Sequence, residues 1–440
     1  MIYHLFEALK DYDIPGQGLI TYLSFRAIIA AVLSMMIALF AGKKIIRALQ
    51  RKQIGETIRD LGLEGQLSKK GTPTMGGIII IVAVLGTALL ICDLTNIYAI
   101  LLILTTVWCG AIGLRDDYIK VFKHNKDGMS AKTKLALQIA LGLVIGITVW
   151  QSDKIVVREK AVPDRHTEVA GKTVTEGQVL SANTLKLKDR VVSTDNTENV
   201  NMVKSTKTTI PFVSSHEFDY RDLTPFRGAW NWYFKWLIYV LMIVVVITAC
   251  SNGTNLTDGM DGLAAGTSTI VGVVLGILAW LSGNLIDSSY LNIMYIPGSG
   301  EVAVFMSAFV GALVGFLWYN SYPAQVFMGD TGSLTIGGII GVCAVLIRKE
   351  LLLPLLCGIF LVESLSVIMQ RGWFKYTKKK YGEGRRIFKM APLHHHFQKE
   401  GIPARIQSPA RAIPEAKIVT RFWIIGIILG VATLALLKIR

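Results

Sequence analysis

The chain has 440 residues, of which 52% are hydrophobic and 18% charged, with a mean hydropathy of +0.48. Soluble domains run near a quarter charged, so an ordinary cytosolic enzyme is excluded, as are disordered and fibrous chains. The net charge of +15 is concentrated: segments 42–73, 115–134 and 371–421 hold 27 of the 46 Lys and Arg but 9 of the 31 acids. Basic loops beside apolar runs are the positive-inside signature, and no nucleic-acid-binding motif accompanies them, so nucleic acid is not an expected partner. The five cysteines, Cys92, Cys109, Cys250, Cys343 and Cys357, are scattered through apolar runs without a CxxC pair, so neither a disulfide framework nor a zinc site is expected.

In chain order, the first apolar run is 19–41. No basic segment precedes it and no small-residue cleavage pattern follows it, which favours a helix over a signal peptide. Further runs lie near 75–93, 97–114, 134–150, 235–251, 263–282, 302–319, 333–347, 351–370 and 421–438. At about 20 residues per crossing, these predict an all-α polytopic membrane protein of about ten transmembrane helices. The basic loops follow runs one, three and nine and so share one face, the cytoplasm. Both termini are then periplasmic. The short turn at 348–350, carrying Arg348 and Lys349, falls on the far side as an exception to the charge rule.

Residues 151–234 interrupt this pattern with a long, polar, nearly charge-balanced segment. Alternating stretches at Lys154–Arg158, Lys172–Val174 and Thr184–Val192 predict short strands, hence a small β-rich periplasmic insert; a disordered loop is the alternative. The chain thus divides into helices 1–4 over 1–150, the insert over 151–234, and helices 5–10 over 235–440.

The residues that carry chemistry are polar groups at membrane edges, where charge is costly and usually functional. Asp116-Asp117 closes the third run. Adjacent carboxylates repel, which raises a pKa or recruits a cation, although a solvated helix end would look the same. After the fifth run, Asn252, Asn255, Asp258 and Asp261 recur every three residues, a spacing that aligns side chains on one helix face. Between runs seven and eight stand Asn320, Phe327 and Asp330. Asp330 precedes a Gly/Ser turn and suits a hard oxygen ligand; Phe327 can stack on a base or simply pack. In the last basic loop, His394, His395 and His396 are consecutive and make a poor zinc site; phosphate or sugar contact suits them better. Ser68–Gly77, with Lys69 and Lys70, reads as an anion loop without Walker order. Lys132 and Lys134 add positive charge before the fourth run. All these groups fall on the cytoplasmic side. Acidic acceptors beside basic loops, without thiolates, point to Mg²⁺ or Mn²⁺ on a phosphorylated substrate, with a lipid as second substrate: metal-dependent phosphoryl-type transfer at a membrane surface.

Taken together, KKGTPTMGG at 69–77, Asp116-Asp117, NLTDGMDGL at 255–263, VFMGDTGS at 326–333 and APLHHHF at 391–397 resemble the bacterial phospho-N-acetylmuramoyl-pentapeptide transferase family. That family is a branch of the polyprenyl-phosphate N-acetylhexosamine-1-phosphate transferases. The resemblance covers about 19–150 and 235–440, in order. It implies Mg²⁺-dependent transfer of phospho-MurNAc-pentapeptide from UDP-MurNAc-pentapeptide to undecaprenyl phosphate in the bacterial inner membrane, giving lipid I and UMP, by a homodimer. Carried over motif by motif, Asp116 is the base for the lipid phosphate, Asp117 supports the metal region and Asp330 is the principal metal ligand. Asn252, Asn255, Asp258, Asp261 and Asn320 line the nucleotide pocket, and Phe327 stacks on uracil. Lys69, Lys70 and Lys132 contact anions, and His394–His396 face the muramyl phosphate. The insert departs from the family pattern. A sister enzyme moving GlcNAc-1-phosphate is the nearest rival, against which the His run speaks. A transporter would place its charges mid-span.

Overall fold

The computed structural model describes residues 1–8, 17–52, 71–123, 125, 127–158, 191–195, 200–210, 217–225 and 229–438. Helices dominate. In chain order they are α1 (Ile2–Ala8), α2 (Leu23–Arg51), α3 (Gly77–Ile91), α4 (Ile97–Phe122), α5 (Ala131–Gln151), α6 (Ala229–Thr257), α7 (Leu263–Gly283), α8 (Leu285–Leu291), α9 (Gly300–Asn320), α10 (Gly329–Leu346), α11 (Leu353–Leu356), α12 (Gly358–Tyr381), α13 (Leu393–Gln398) and α14 (Glu415–Ala435). Among the described residues eight helices are long and apolar enough to cross a bilayer. A ninth crossing arises if residues 350–356 and α12 count as one span, bent by 76°. Only α3 falls short: its 15 residues reach about 22 Å against a hydrocarbon core of about 30 Å. The structure therefore carries a helix at each of the ten expected runs, with eight to nine meeting the length test.

Burial sorts these helices. In α10, 94% of the most apolar window is buried, against 22% in α2 and 33% in α5 and α14. Helix α10 is the central post, packed by α4, α6 and α3, while α9 packs against α2 and α7. The rim helices present Ile28, Val32, Met36 and Phe40 of α2 and Ile424, Ile427 and Val431 of α14 outward. That inversion, apolar outside as well as inside, is the signature of a bundle whose solvent is lipid.

At the end of the bundle away from Asp330, Arg26 of α2 makes a two-pronged contact with Glu301 of α9, at 2.6 Å on each carboxylate oxygen, and donates from Nη2 to the carbonyl of Ile91 at 3.0 Å. The same carboxylate accepts from the Asp93 amide at 2.9 Å. A buried charge is tolerated when paired and hydrogen-bonded in this way.

The insert contributes strands β1 (Val157–Arg158), β2 (Val191–Asp195), β3 (Val200–Val203), β4 (Lys207–Thr209) and β5 (Glu217–Asp219). They form two small antiparallel sheets, ordered β1-β3-β2 and β4-β5. Of the stretches expected to be strands, Lys154–Arg158 contains β1, and Val191 and Val192 at the end of Thr184–Val192 belong to β2; residues 184–190 and Lys172–Val174 lie outside the described residues. The 348–350 turn is buried beneath residues of the insert. Thr209 donates its amide to the Arg348 carbonyl at 3.0 Å, and Lys349 Nζ donates to Thr209 Oγ1 at 2.6 Å. Tyr220 OH reaches Glu350 Oε1 at 3.4 Å, and the Arg348 guanidinium lies 4.7 Å from the Tyr239 ring centre. The insert thus covers three buried charged residues, Arg348, Lys349 and Glu350.

Candidate active site

Asp116 and Asp117 lie in the last turns of α4, and Asp330 in the first turn of α10. The three carboxylates are buried and offer oxygen atoms within 4.8 Å of one another. Asp330 precedes no loop turn: Thr331-Gly332-Ser333 is helical, because the amides that open α10 are satisfied from outside the helix. Asp117 supplies that partner. Its Oδ1 accepts from the Asp330 amide at 3.0 Å, and its Oδ2 from the Thr331 amide at 2.9 Å and the Thr331 hydroxyl at 2.6 Å. A carboxylate on the orphan amides of a helix N-terminus is favoured by hydrogen bonding and by the helix dipole. Gly329 has φ +72°, and a Cβ there would stand 2.6 Å from Asp117 Oδ2, so only glycine lets the chain turn this close.

With Asp117 committed to α10, Asp116 and Asp330 share two cations. Lys120, one helical turn after Asp116, places Nζ 2.7 Å from Asp116 and 3.2 Å from Asp330. Lys134 places Nζ 2.9 Å from Asp116 and 2.6 Å from Asp330. Ser130 fixes Lys134 by capping α5, its hydroxyl accepting the Thr133 amide at 3.2 Å. Lys132 is exposed on the same turn. Lys120 and Lys134, not Lys132, thus occupy the cationic positions at the carboxylates. The i, i+4 spacing of Asp116 and Lys120 was the signal available for the first. Lys69 and Lys70 lie outside the described residues, but the rest of their motif arrives: the Gly76 and Gly77 amides donate to the carbonyls of Phe327 at 2.8 Å and Met328 at 2.9 Å. The Phe327 amide returns a bond to Pro73 at 2.8 Å, leaving its ring half-buried at the rim.

The Asn/Asp series divides. Helix α6 extends to Thr257, so Asn252 and Asn255 lie on it, Asp258 starts the following turn, and Asp261 lies beyond the helix. Asn255 Nδ2 donates to Asp330 Oδ1 at 3.0 Å and to Ser333 Oγ at 2.9 Å. Asn252 sits one turn deeper, its amide donating to Gln138 and Thr248, each at 2.8 Å. Asp261 accepts the Ala324 amide at 3.0 Å, and Asn320 Oδ1 accepts the Gly262 amide at 3.1 Å. Those bonds tie the 258–262 turn to the 321–328 loop. A single helix face, as the spacing suggested, is replaced by two groups: Asn252 and Asn255 on α6, and Asp258 and Asp261 in the turn beyond it.

The histidines separate as well. His394 is fully buried; its amide donates to Glu363 Oε1 at 3.1 Å and its Nδ1 lies 3.1 Å from Glu363 Oε2. Its Nε2 has no hydrogen-bond partner among the described residues and faces the 258–262 turn, where a Cβ at Gly259 would stand 2.2 Å away. His395 is half-buried, with Nδ1 3.0 Å from Gln398 Oε1. His396 accepts the Lys389 amide on Nδ1 at 3.1 Å and holds Nε2 2.8 Å from the Ser408 carbonyl, which sets the neutral Nε2–H tautomer. Burial pushes its pKa below the ordinary histidine value, against the opposing pull of the Ser408 carbonyl. Glu363 carried no signal in the sequence beyond being an acid in an apolar run.

The donors at the carboxylates are all oxygens, which fits a hard divalent cation and not a soft one. All three carboxylates offer an oxygen to such a cation, Asp117 while held by α10 and Asp116 and Asp330 while paired with Lys120 and Lys134.

Residues 198–348 match the family model described as Glycosyl transferase family 4, so this part of the chain, which includes Asp330, resembles a glycosyl transferase. Residues 69–81 match signature 1 of phospho-N-acetylmuramoyl-pentapeptide-transferase. Curated proteins of that name are similar over 100% of both chains: 56% identity in Parabacteroides distasonis, 52% in Porphyromonas gingivalis and 50% in Flavobacterium johnsoniae. The chain belongs to the phospho-N-acetylmuramoyl-pentapeptide-transferase family. As these alignments cover both chains fully, the relatives share a segment matching the insert.

Proposed function

We propose that the chain transfers phospho-MurNAc-pentapeptide from UDP-MurNAc-pentapeptide to undecaprenyl phosphate, releasing UMP and forming lipid I, a first membrane step in building the cell wall on which shape and division depend. The full-length identity of 50–56% to proteins named for this transfer carries the reading. In this reading ten helices cross the bacterial inner membrane with both termini outside, the insert is periplasmic, the cleft opens to the cytoplasm, and the chain works as a homodimer.

Chemically, a lipid phosphate oxygen attacks the sugar-bearing phosphorus and the bond to UMP breaks. Such transfers depend mainly on positioning and charge. Asp116 orients the lipid phosphate and takes its proton where one remains. Asp330, with Asp116, holds Mg²⁺ or Mn²⁺, which when bound neutralises charge on the diphosphate and the leaving UMP. Asn255 fixes the Asp330 carboxylate, and Asp117 holds α10 in place behind it. Lys120 and Lys134 balance phosphate charge, with Lys69, Lys70 and Lys132 as outer anion contacts. Asp258, Asp261, Asn320 and Phe327 form the nucleotide walls, supported from below by Asn252. His395, the half-buried member of the run, faces the sugar phosphate, with His394 packed on Glu363 behind it and His396 bracing the loop.

The test is label transfer in purified membranes. UDP-MurNAc-pentapeptide should pass radiolabel to undecaprenyl phosphate in a divalent-dependent reaction. Labelling from UDP-GlcNAc instead would reassign the chain to the sister activity, and no lipid labelling from either would refute the proposal.

A further inference from the structure

Helix α12 changes character along one face. Leu361, Leu365 and Ile368 are exposed and apolar, as lipid-facing side chains are. At about 100° per residue Lys375 and Lys379 continue the same face, Lys379 standing five full turns after Leu361. Lys375 follows Ile368 by about 10 Å along the axis, within the reach of a lysine stem between hydrocarbon and headgroup layers. Residues 371–386 hold seven basic residues against one acid, Glu383. Lys375, Lys378 and Lys379 are exposed and have no acidic partner among the described residues. Tyr376 and Tyr381, aromatic types that favour membrane interfaces, are exposed beside them, with Lys380 Nζ 5.7 and 5.3 Å from their ring centres. The segment is not a loose tail. Gln370 Oε1 accepts the amides of Ile387 and Phe388, each at 3.0 Å, and Thr377 Oγ1 accepts that of Arg385 at 2.8 Å. The returning chain is thereby bound along α12 before it enters α13.

We propose that this basic face of α12 is a docking surface for the headgroups of anionic phospholipids in the leaflet next to the carboxylate cleft. The inference rests on the reading that α12 leaves a bilayer at this end. Two features select lipid over a soluble polyanion: the cations continue a lipid-facing stripe, and interfacial aromatics flank them. Clustered Lys and Arg just beyond a span are attracted to an anionic leaflet. Undecaprenyl phosphate is a separate ligand whose place is the cleft. The surface proposed here meets bulk lipid.

All five native cysteines are buried, so a single Tyr381→Cys can be labelled selectively with an environment-sensitive fluorophore. The full-length labelled protein is placed in nanodiscs of phosphatidylcholine with rising fractions of phosphatidylglycerol. The expected result is a blue shift and protection from iodide quenching as phosphatidylglycerol rises, both reversed by molar salt. Lys375→Gln, Lys378→Gln and Lys379→Gln together should abolish the shift, since each cation contributes about fivefold in affinity for an anionic surface. A shift equal in both lipids, or unchanged in the triple variant, would overturn the proposal. So would an equal shift with RNA or polyglutamate in pure phosphatidylcholine, which would reassign the surface to a soluble polyanion. UMP release by the same samples reads the transferase function separately, so failure of one is distinguishable from failure of the other.

Discussion

Asp117 and Asp116 are neighbours in sequence but differ in what their loss should do. Asp117→Ala removes the acceptor for two opening amides of α10 and for the Thr331 hydroxyl. A lost N-cap and the buried donors left behind cost about 3–5 kcal/mol together, a fall in Tm of roughly 10 °C at the 2–4 °C per kcal/mol of larger domains. Asp116→Asn keeps the volume and an oxygen for the Met129 amide, bonded at 2.6 Å. It also leaves Lys120 and Lys134 paired with Asp330. Its Tm should stay within about 2 °C of the parent, while turnover falls by about 10²–10⁴, the range for a lost acid–base group. The assay pairs thermal unfolding in detergent, followed by size-exclusion fluorescence, with UMP release at matched folded protein. If Asp117→Ala melts with the parent, or Asp116→Asn melts as early as Asp117→Ala, the division of roles is wrong.

Asp330→Asn should lower UMP release by on the order of 10²–10³ in a chain that still elutes as folded; near-parental turnover at low Mg²⁺ would remove it as a ligand. Lys134→Ala should reduce kcat/KM by at least about tenfold more than Lys132→Ala, since a charge-assisted bond contributes about 1.5–3 kcal/mol; equal losses would return Lys132 to the first rank. His396 is held neutral by burial, so its folded pKa lies below the unfolded value of about 6.5. Its contribution to loop stability is full above that unfolded value and lost as pH falls through the folded one. Hydrogen exchange over 389–408, corrected for intrinsic pH dependence, should accelerate on acidification in the parent and not in His396→Phe. Replacing 157–225 with a Gly/Ser linker should lower Tm by uncovering Arg348, Lys349 and Glu350, yet spare turnover in the folded fraction. Residue 347 lies roughly 27 Å along α10 from its carboxylate end; a lost kcat at full folding would show that the insert acts on the cleft.

What the sequence disclosed follows from cost. Carboxylates and amides beside a bilayer stand out because burial makes them expensive, so Asp116, Asp117, Asp330 and the Asn/Asp series were all visible. Their division of labour was not. The capping bonds of Asp117 cross 213 and 214 positions, which no local pattern encodes. Gly329 to Ser333 read as a turn because local propensity cannot see a carboxylate arriving from another helix. Lys132 and Lys134 are equivalent as charges and differ only in the direction that helix geometry gives them. The break at Cys357 stayed hidden because apolar residues continue through it. The covered turn at 348–350 depends on Thr208 and Thr209, 140 positions away.

That covered turn also orders assembly. Strand β4, β5 and Tyr220 precede α9 and α10 in the chain, so the cover is synthesised before the charges it shelters. In the proposed topology, the hairpin of α9 and α10 carries Arg348, Lys349 and Glu350 across the bilayer to that cover. Under the proposed topology, translocation of the insert then precedes burial of the turn. On that reading, a chain whose insert failed to cross would leave three charged residues uncovered at the end of α10 remote from Asp330, a defect of assembly and not of chemistry.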